Sequence, residues 1–479
     1  MEGKSDLGDD VELVTSPLVV PASGRKVIMD VKSHRYERVD AKNRLDGLPQ
    51  TFHFEIEPSA AELTDLQDTF IYFRWSIKQQ ENDGSLKDIP KEEFKELVDE
   101  HNQKTGDVEF LNNKHLVAPE PGVPLTMFQD AYCTINDVPF PAHSQGLYFY
   151  SLYWRYLLES SPAAQATCLK SQSRFFPRAP GKFDDLTPLA SEGNASLVYL
   201  KSISSGSKKV DTLAPLLADF TSFRRALPPS TKIEISLDRA RCAQYIMSSN
   251  PNQSKVYDIE IHEAYLIVKR LTLDPVALEN YNSMLTKTPA IFPYTKRQMR
   301  ALDIPRSSVA YEFDLGGHGS RLPFQIRFGL VRKMAFDGDY GKSVFRFERF
   351  GLQQIRIKEA NGFISSEISL KNNGNSHPPA SSMPAVLEGG FSTSKWMEKG
   401  LSLSQTAFDH GYAIYTLDLS RSATAQDPDP DLQSLPRRDK ISIILDFDSK
   451  TSYDIVLVLE EFGNNVMRIG GDQNTPSFD

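Results

Sequence analysis

The sequence predicts a mostly β protein built in two halves, and three observations carry that reading. Apolar residues recur with a period of two in run after run along the chain. Helical spacing is confined to four short stretches, and strands do not alternate with helices. A period of two sends successive side chains to opposite faces of a strand, so each run offers one face to a core and one to solvent. Without alternation of strand and helix, a parallel doubly wound sheet is excluded.

Residues 1–45 come first and are expected to be an arm. Between Gly24 and Arg44 there are seven Lys or Arg against three Asp or Glu, with little regular apolar spacing. Such a segment is an interaction tail or a solvated terminus. From residue 50 the alternation takes over. Phe52, Phe54 and Ile56 form one run, and Ile233, Ile235 and Leu237 another. Val309, Tyr311, Phe313 and Leu315 repeat it, as do Phe324, Ile326, Phe328 and Leu330, and finally Ile441, Ile443, Leu445 and Phe447. The run Ile455 to Leu459 is apolar on both faces and predicts a strand covered from both sides.

The four stretches with helical spacing are 91–103, 146–159, 276–287 and 394–405, with Pro90 and Pro275 where helix starts favour proline. Long connections rich in Pro, Ser, Gly, Asp and Lys occupy 82–124, 162–215 and 372–390. Connections beyond about 12–15 residues tend to be functional. The stretch 271–294 separates two series of strands. Each half reads strands, long loop, helix, strands, with no residue-level repeat between them.

The bulk numbers narrow the class. A chain of 479 residues has room for more than one core, and 28 Phe, 18 Tyr and 3 Trp rule out a disordered or fibrous chain. A formal charge of −9 argues against a molecule that wraps nucleic acid, where affinity comes from neutralised phosphates. Three cysteines far apart, Cys133, Cys168 and Cys242, give neither a disulfide framework nor a zinc site, so a reducing compartment is expected. The acidic start MEGKSDLGDD is not a secretory signal, and no apolar run approaches the roughly 20 residues of a membrane span. A soluble protein made inside a cell is the expectation.

Several motifs are incomplete. Gly341-Lys342-Ser343 ends like a phosphate loop, but Phe336 stands where its first glycine belongs, and a turn followed by a strand over 343–350 is expected. His262-Glu263 opens like a zinc-protease motif, but Leu266 replaces the second histidine, which leaves a strand or bulge residue. Asp446-Phe447-Asp448 opens like a calcium loop, yet Thr451 and Leu457 occupy the glycine and glutamate positions. Gly316-Gly317-His318-Gly319 is read as a turn rather than an anion cradle. No catalytic, cofactor-binding or metal-ligating residue is singled out, and no enzyme is expected.

A set of segments in order resembles one family. These are 13–18 (LVTSPL), 51–56 (TFHFEI), 63–75 (LTDLQDTFIYFRW), 124–140 (PLTMFQDAYCTINDVPF) and 148–158 (YFYSLYWRYLL), followed by 256–271 (VYDIEIHEAYLIVKRL), 294–304 (YTKRQMRALDI), 322–338 (LPFQIRFGLVRKMAFDG) and 410–419 (HGYAIYTLDL). Together they resemble the double jelly-roll, hexon-like major capsid proteins of the Polinton, adintovirus and adomavirus group. Ile135-Asn136-Asp137 departs from the family's LNG.

The resemblance implies an all-β chain of two tandem eight-stranded jelly-roll sandwiches with long loops and a few short helices. It places an arm at 1–45, the first jelly roll at 46–271, a linker at 272–294, the second jelly roll at 295–465 and a tail at 466–479. It implies a major capsid protein that forms homotrimers of nearly six-sided outline by heterologous contacts, tiling an icosahedral shell beside neighbouring capsomers, penton and minor capsid proteins. No cofactor, no sequence-specific nucleic acid and no transmembrane segment belong to it. Its expected location is the virion, after synthesis in a host cell and with the nucleus as a place of assembly. A jelly-roll carbohydrate-binding protein or glycan-active enzyme is the alternative, and would want exposed Trp and Tyr beside paired carboxylates. Trp75 and Trp154 lie within apolar runs instead, and Trp396 is the third.

Overall fold

The computed structural model describes residues 31–45, 48–81, 83–91, 94–98, 104–110, 116–141, 144–186, 194–223, 225–249, 256–315, 322–371, 382–387, 403–419, 440–470 and 476–478. Among the described residues sixteen strands, numbered here in chain order, form the body of four antiparallel sheets, and six others add a fifth strand to two of them and two small two-stranded sheets. The first eight are β1 (Val31–Asp40), β2 (Thr51–Ile56), β3 (Glu62–Gln80), β4 (Phe128–Ile135), β5 (Val138–Pro139), β6 (Val210–Pro215), β7 (Ile233–Arg239) and β8 (Val256–Leu273). The second eight are β9 (Ala290–Ile304), β10 (Ala310–Asp314), β11 (Gln325–Arg332), β12 (Leu352–Glu359), β13 (Ile364–Ser369), β14 (Ile414–Asp418), β15 (Ile441–Phe447) and β16 (Ile455–Ile469).

In the first half the sheets run β1-β8-β3-β6 and β2-β7-β4-β5; in the second they run β9-β16-β11-β14 and β10-β15-β12-β13. Adding eight to every label of the first pair reproduces the second. This order, in which the last strand of each half sits between its first and third, is that of an eight-stranded jelly roll. Each half is such a sandwich.

The alternation in the sequence sets the registers. Phe52 pairs with Leu237, Phe54 with Ile235 and Ile56 with Ile233, and all six side chains are buried. Their apolar face meets the inner face of the facing sheet, where Phe73 lies edge-on to Phe52 at 5.8 Å between ring centroids. Phe128 closes the group, 5.6 Å from Phe52 and 5.7 Å from Phe73. In the second half Phe328 stacks on Tyr415 at 4.8 Å, with Phe408 edge-on to Tyr415 at 5.3 Å. The run Ile455 to Leu459 is buried throughout, as its two-sided apolarity predicts. Most buried apolar residues form one continuous cluster that extends through both halves, and Leu116, Ala118, Leu186, Leu197 and Met247 form a small second one.

Some segments depart from the sequence expectation. Instead of a helix over 91–103, Phe94–Val98 is a strand paired antiparallel with Lys104–Phe110. Phe94, Leu97 and Val98 fit helical spacing, but Phe94, Glu96 and Val98 also fit a strand, and a partner segment decides between them. Within the expected arm, Val31–Asp40 is strand β1, paired with β8. Only Val39 is buried in it, so its order comes from backbone pairing at a sheet edge, where charged side chains are usual. The expected linker holds the end of β8, helix Pro275–Leu285 and the start of β9. The expected tail carries the end of β16 and a short strand, Ser477–Phe478, paired to it. Residues 343–350 make turns and one isolated bridge, Phe347 to Tyr412, rather than a strand. The expected helix at 394–405 lies outside the described residues up to 402, and Gln405–Asp409 is helical. Gly316, Gly317, His318 and Gly319 lie outside the described residues.

Candidate functional site: the buried joint between the halves

Helix α1 (Tyr148–Trp154) leaves the first half in the long connection between β5 and β6 and continues as a wider helical turn over Arg155–Glu159. Every residue from Tyr148 to Leu157 is buried, so this helix is enclosed on all sides. On one side it packs on the first half, where Tyr153 lies edge-on to Phe175 at 5.4 Å, and on the other its partners belong to the second half. Tyr153 stacks on Phe345 at 4.1 Å, Tyr150 lies edge-on to Phe345 at 5.8 Å and parallel to Phe336 at 6.3 Å, and Trp154 packs on Phe347 at 5.6 Å. Gly329 in β11 admits the Phe347 ring, because a Cβ there would fall inside 3.0 Å of it. A second aromatic group, Phe140 and Phe223 from the first half with Phe292 and Tyr294 from β9, extends the seam.

At the end of α1 the seam becomes ionic. Arg327 of β11 reaches Glu460 of β16 at 3.0 Å and Glu159 at 3.3 Å. Arg297 of β9 lies 3.5 Å from Glu159, 3.8 Å from Asp219 and 4.0 Å from Glu460, and its backbone N–H donates to Asp219 Oδ2 at 2.9 Å. Arg155 approaches Glu159 at 3.7 Å, and the Ser151 hydroxyl donates to Glu460 at 2.5 Å. Three guanidiniums therefore meet three carboxylates. Both partners of the central pair are enclosed, Arg327 at 7% and Glu460 at 0% side-chain exposure. Burial tends to raise the Glu159 carboxyl, but Arg297, Arg327 and Arg155 outweigh it and hold it at about 2. Burial dominates for Glu460 and Asp219, whose carboxyls lie above the usual range despite the same cations.

A second polar knot lies along the seam. Glu120 and Arg178 of the first half, both almost fully enclosed, approach to 3.7 Å. The Arg178 carbonyl accepts from the Tyr412 hydroxyl at 2.5 Å. Asp184 accepts from the Ser343 backbone N–H at 3.0 Å, from Lys342 at 3.3 Å and from Arg346 at 2.5 Å. The anion beside Gly341-Lys342-Ser343 is thus a carboxylate of this same chain. Asp446 is held by Arg356 through two bonds of 2.7 and 2.8 Å, and His262 sits at a bulge in β8 with Nε2 2.9 Å from Ser76 Oγ.

The joint is closely packed. The cavity at its edge, lined by Ser144, Ser151, Arg155, Asp219, Arg297 and Met299, measures about 40 Å3. That is room for a few waters and far below the roughly 300 Å3 or more of a ligand pocket. Burial pushes up the Cys133 and Cys242 thiols, which keeps both protonated. Among the described residues no three His, Cys, Asp or Glu side chains gather as a metal site. Trp75 and Trp154 are fully buried, so neither offers a sugar-stacking surface; Trp396 lies outside the described residues. Sequence reasoning found α1 but missed the ionic knot. Its six members come from five separate segments, and the visible signal was only the pair Glu460-Glu461 directly after an apolar run.

No protein-family model matches the chain, and no curated protein matches it. Solved structures do. A chain of the Sputnik virophage structure superposes with a TM-score of 0.58 at 10% identity, covering 100% of this chain and 93% of that one. A chain of the PBCV-1 virus capsid gives 0.53 at 10% identity, with 95% and 98% covered. The Faustovirus major capsid protein gives 0.52 at 10% identity, with 94% and 92% covered. At such identity the similarity speaks for the fold, and it extends over both halves together. Strand order, the repeat by eight and these full-length superpositions agree: the chain is a double jelly roll.

Proposed function

We propose that the chain is the major capsid protein of an icosahedral virus, of the double jelly-roll lineage that includes the Polinton-like group. The observation that carries this reading is the sealed joint. Two complete jelly rolls are locked into one unit by α1 and a balanced ionic knot, and the cavity at the edge of that joint measures only about 40 Å3. The Faustovirus chain, which matches over almost its whole length, is itself a major capsid protein. Three copies in a ring would place six rolls around one axis and give a six-sided building block by heterologous contact. Neighbouring capsomers, penton and minor capsid proteins would be its partners and the virion its location. The chain divides near residues 272–294, where helix Pro275–Leu285 bridges the two rolls.

The test is direct. Light scattering on purified protein is expected to give about 162 kDa, three times the 53.9 kDa chain, and negative-stain images six-sided particles. A species that stays near 54 kDa at every concentration and ionic strength would overturn the proposal.

A further inference from the structure

The small cavity at the edge of the joint takes its walls from both halves. Arg155, just past the end of α1, and Asp219 meet Arg297 of β9 there. Two cations and one carboxylate give these walls a net charge of +1, while Arg327, Glu159 and Glu460 of the same knot stay outside them. Burial, and then the neighbouring Arg297 cation, hold the Arg155 guanidinium below its ordinary value. Arg155 is 9% exposed, and its Nε is buried without a hydrogen-bond partner among the described residues, as are Nε and Nη1 of Arg297. The nearby carboxylates stand back. Arg155 Nε is 3.7 Å from Glu159, Arg297 Nη1 is 3.8 Å from Asp219, and Arg297 Nε is 4.0 Å from Glu460. Each spacing exceeds the roughly 2.7–3.2 Å of an N–H···O bond. The hydroxyls of the wall are committed elsewhere, Ser144 to Asp130 and Ser151 to Glu460 at 2.5 Å each, and Tyr148 to the Leu217 carbonyl at 2.9 Å. The free donors of the cavity are therefore guanidinium N–H groups, and a buried N–H without an acceptor is costly.

We infer that this cavity binds one small monovalent anion of the halide class, which accepts from Arg155 and Arg297 together and so clips the first half to the second. Size and charge choose the class. About 40 Å3 suits a bare halide and excludes an anion as large as a nucleotide or a sugar phosphate. Water can accept from the same N–H groups, but it brings no charge to a wall that carries +1. Both walls belong to one chain, so a single copy and an assembled one are expected to bind alike.

The experiment uses the full-length chain at constant ionic strength, with chloride replacing gluconate, which is too large for the cavity. Chloride at about ten-fold its dissociation constant is expected to raise the melting temperature by about 1–2 °C in a chain of this length. Arg155→Met is expected to abolish that difference between the two anions, while any general effect of salt on the surface remains. Crystals grown in bromide are expected to show an anomalous peak between Arg155 and Arg297. An equal chloride shift in wild type and variant overturns the inference, because the anion then acts elsewhere, and so does the lack of any shift in the wild type. Density without an anomalous signal at that position overturns it as well, because the cavity is then a hydration site only. If the variant fails to fold, the bromide map of the wild type decides.

Discussion

Replacing Arg327 by Met tests the ionic knot at its centre. The substitution removes the cation nearest to Glu460 and takes the cluster from three cations and three anions to two and three. Glu460 keeps the Ser151 hydroxyl and a distant Arg297, and Glu159 keeps Arg297 and Arg155. Removing one partner of an enclosed pair costs about 3–5 kcal/mol, because the other charge is left without compensation. The retained contacts place this case near the lower bound, at about 3 kcal/mol at pH 8. The cost is expected to fall in acid. Burial already holds the Glu460 carboxyl above its ordinary value, and losing Arg327 raises it further. A carboxyl raised in the folded state loses stability as pH rises through its folded value, so protonation at pH 5 recovers part of the loss. Each pKa unit is worth about 1.4 kcal/mol. The double variant Arg327→Met, Glu460→Leu restores the balance and is expected within about 1 kcal/mol of wild type. Urea unfolding at fixed protein concentration, at pH 8 and pH 5, measures all of these. A single-variant cost below about 0.5 kcal/mol that does not change with pH would show that water screens the cluster, and the reasoning would fail.

Phe345→Ala removes an enclosed ring that touches Tyr153, Tyr150 and Phe149, and should cost about 3–5 kcal/mol. Calorimetry should then resolve two transitions where the wild type shows one, and a single unsplit peak would argue against coupling through the joint. Glu159, held at about 2 against an ordinary 4.5, contributes stability that is present above pH 4.5 and lost as pH falls towards 2. Glu159→Gln should flatten the acid limb of stability against pH, modestly because its side chain is 35% exposed; an unchanged acid limb would refute the assignment. Deleting residues 1–30 should leave the melting temperature unchanged and impair shell formation, whereas deleting 1–44 removes β1 and should lower the melting temperature. Equal melting of the two truncations would show that β1 adds nothing to its sheet.

The strands were legible wherever one face is buried and the other wet. Phe52-Phe54-Ile56 and Ile233-Ile235-Leu237 announce themselves because the core imposes a period of two. Strand β1 was illegible for the converse reason: it buries only Val39, and its order is written in the backbone of β8 rather than in its own side chains. Segment 94–98 was ambiguous because Phe94, Leu97 and Val98 fit a helical period while Phe94 and Val98 also fit a period of two. The joint was half legible. An aromatic helix at 148–158 stood out, but Phe345, Phe347, Arg297 and Arg327 become its partners only in three dimensions. Chemistry shared among distant segments leaves no local spacing to read.

The place of β16 has a consequence for the order of synthesis. This strand is made after β9, β11 and β14, yet it lies inside their sheet, paired with β9 on one side and β11 on the other. The second sandwich therefore has a missing centre until residue 469 has emerged. Helix α1, finished at Trp154, waits through the same interval for Glu460 and for a completed surface beneath it. At about 5–20 residues per second, those 300-odd residues take roughly 15–60 s. Throughout that time Tyr150, Tyr153 and Trp154 have no second roll to enter. A nascent chain of this design keeps an aromatic helix uncovered until its second sandwich is complete, so the folding yield would be set by how well chaperones shelter that helix on the ribosome.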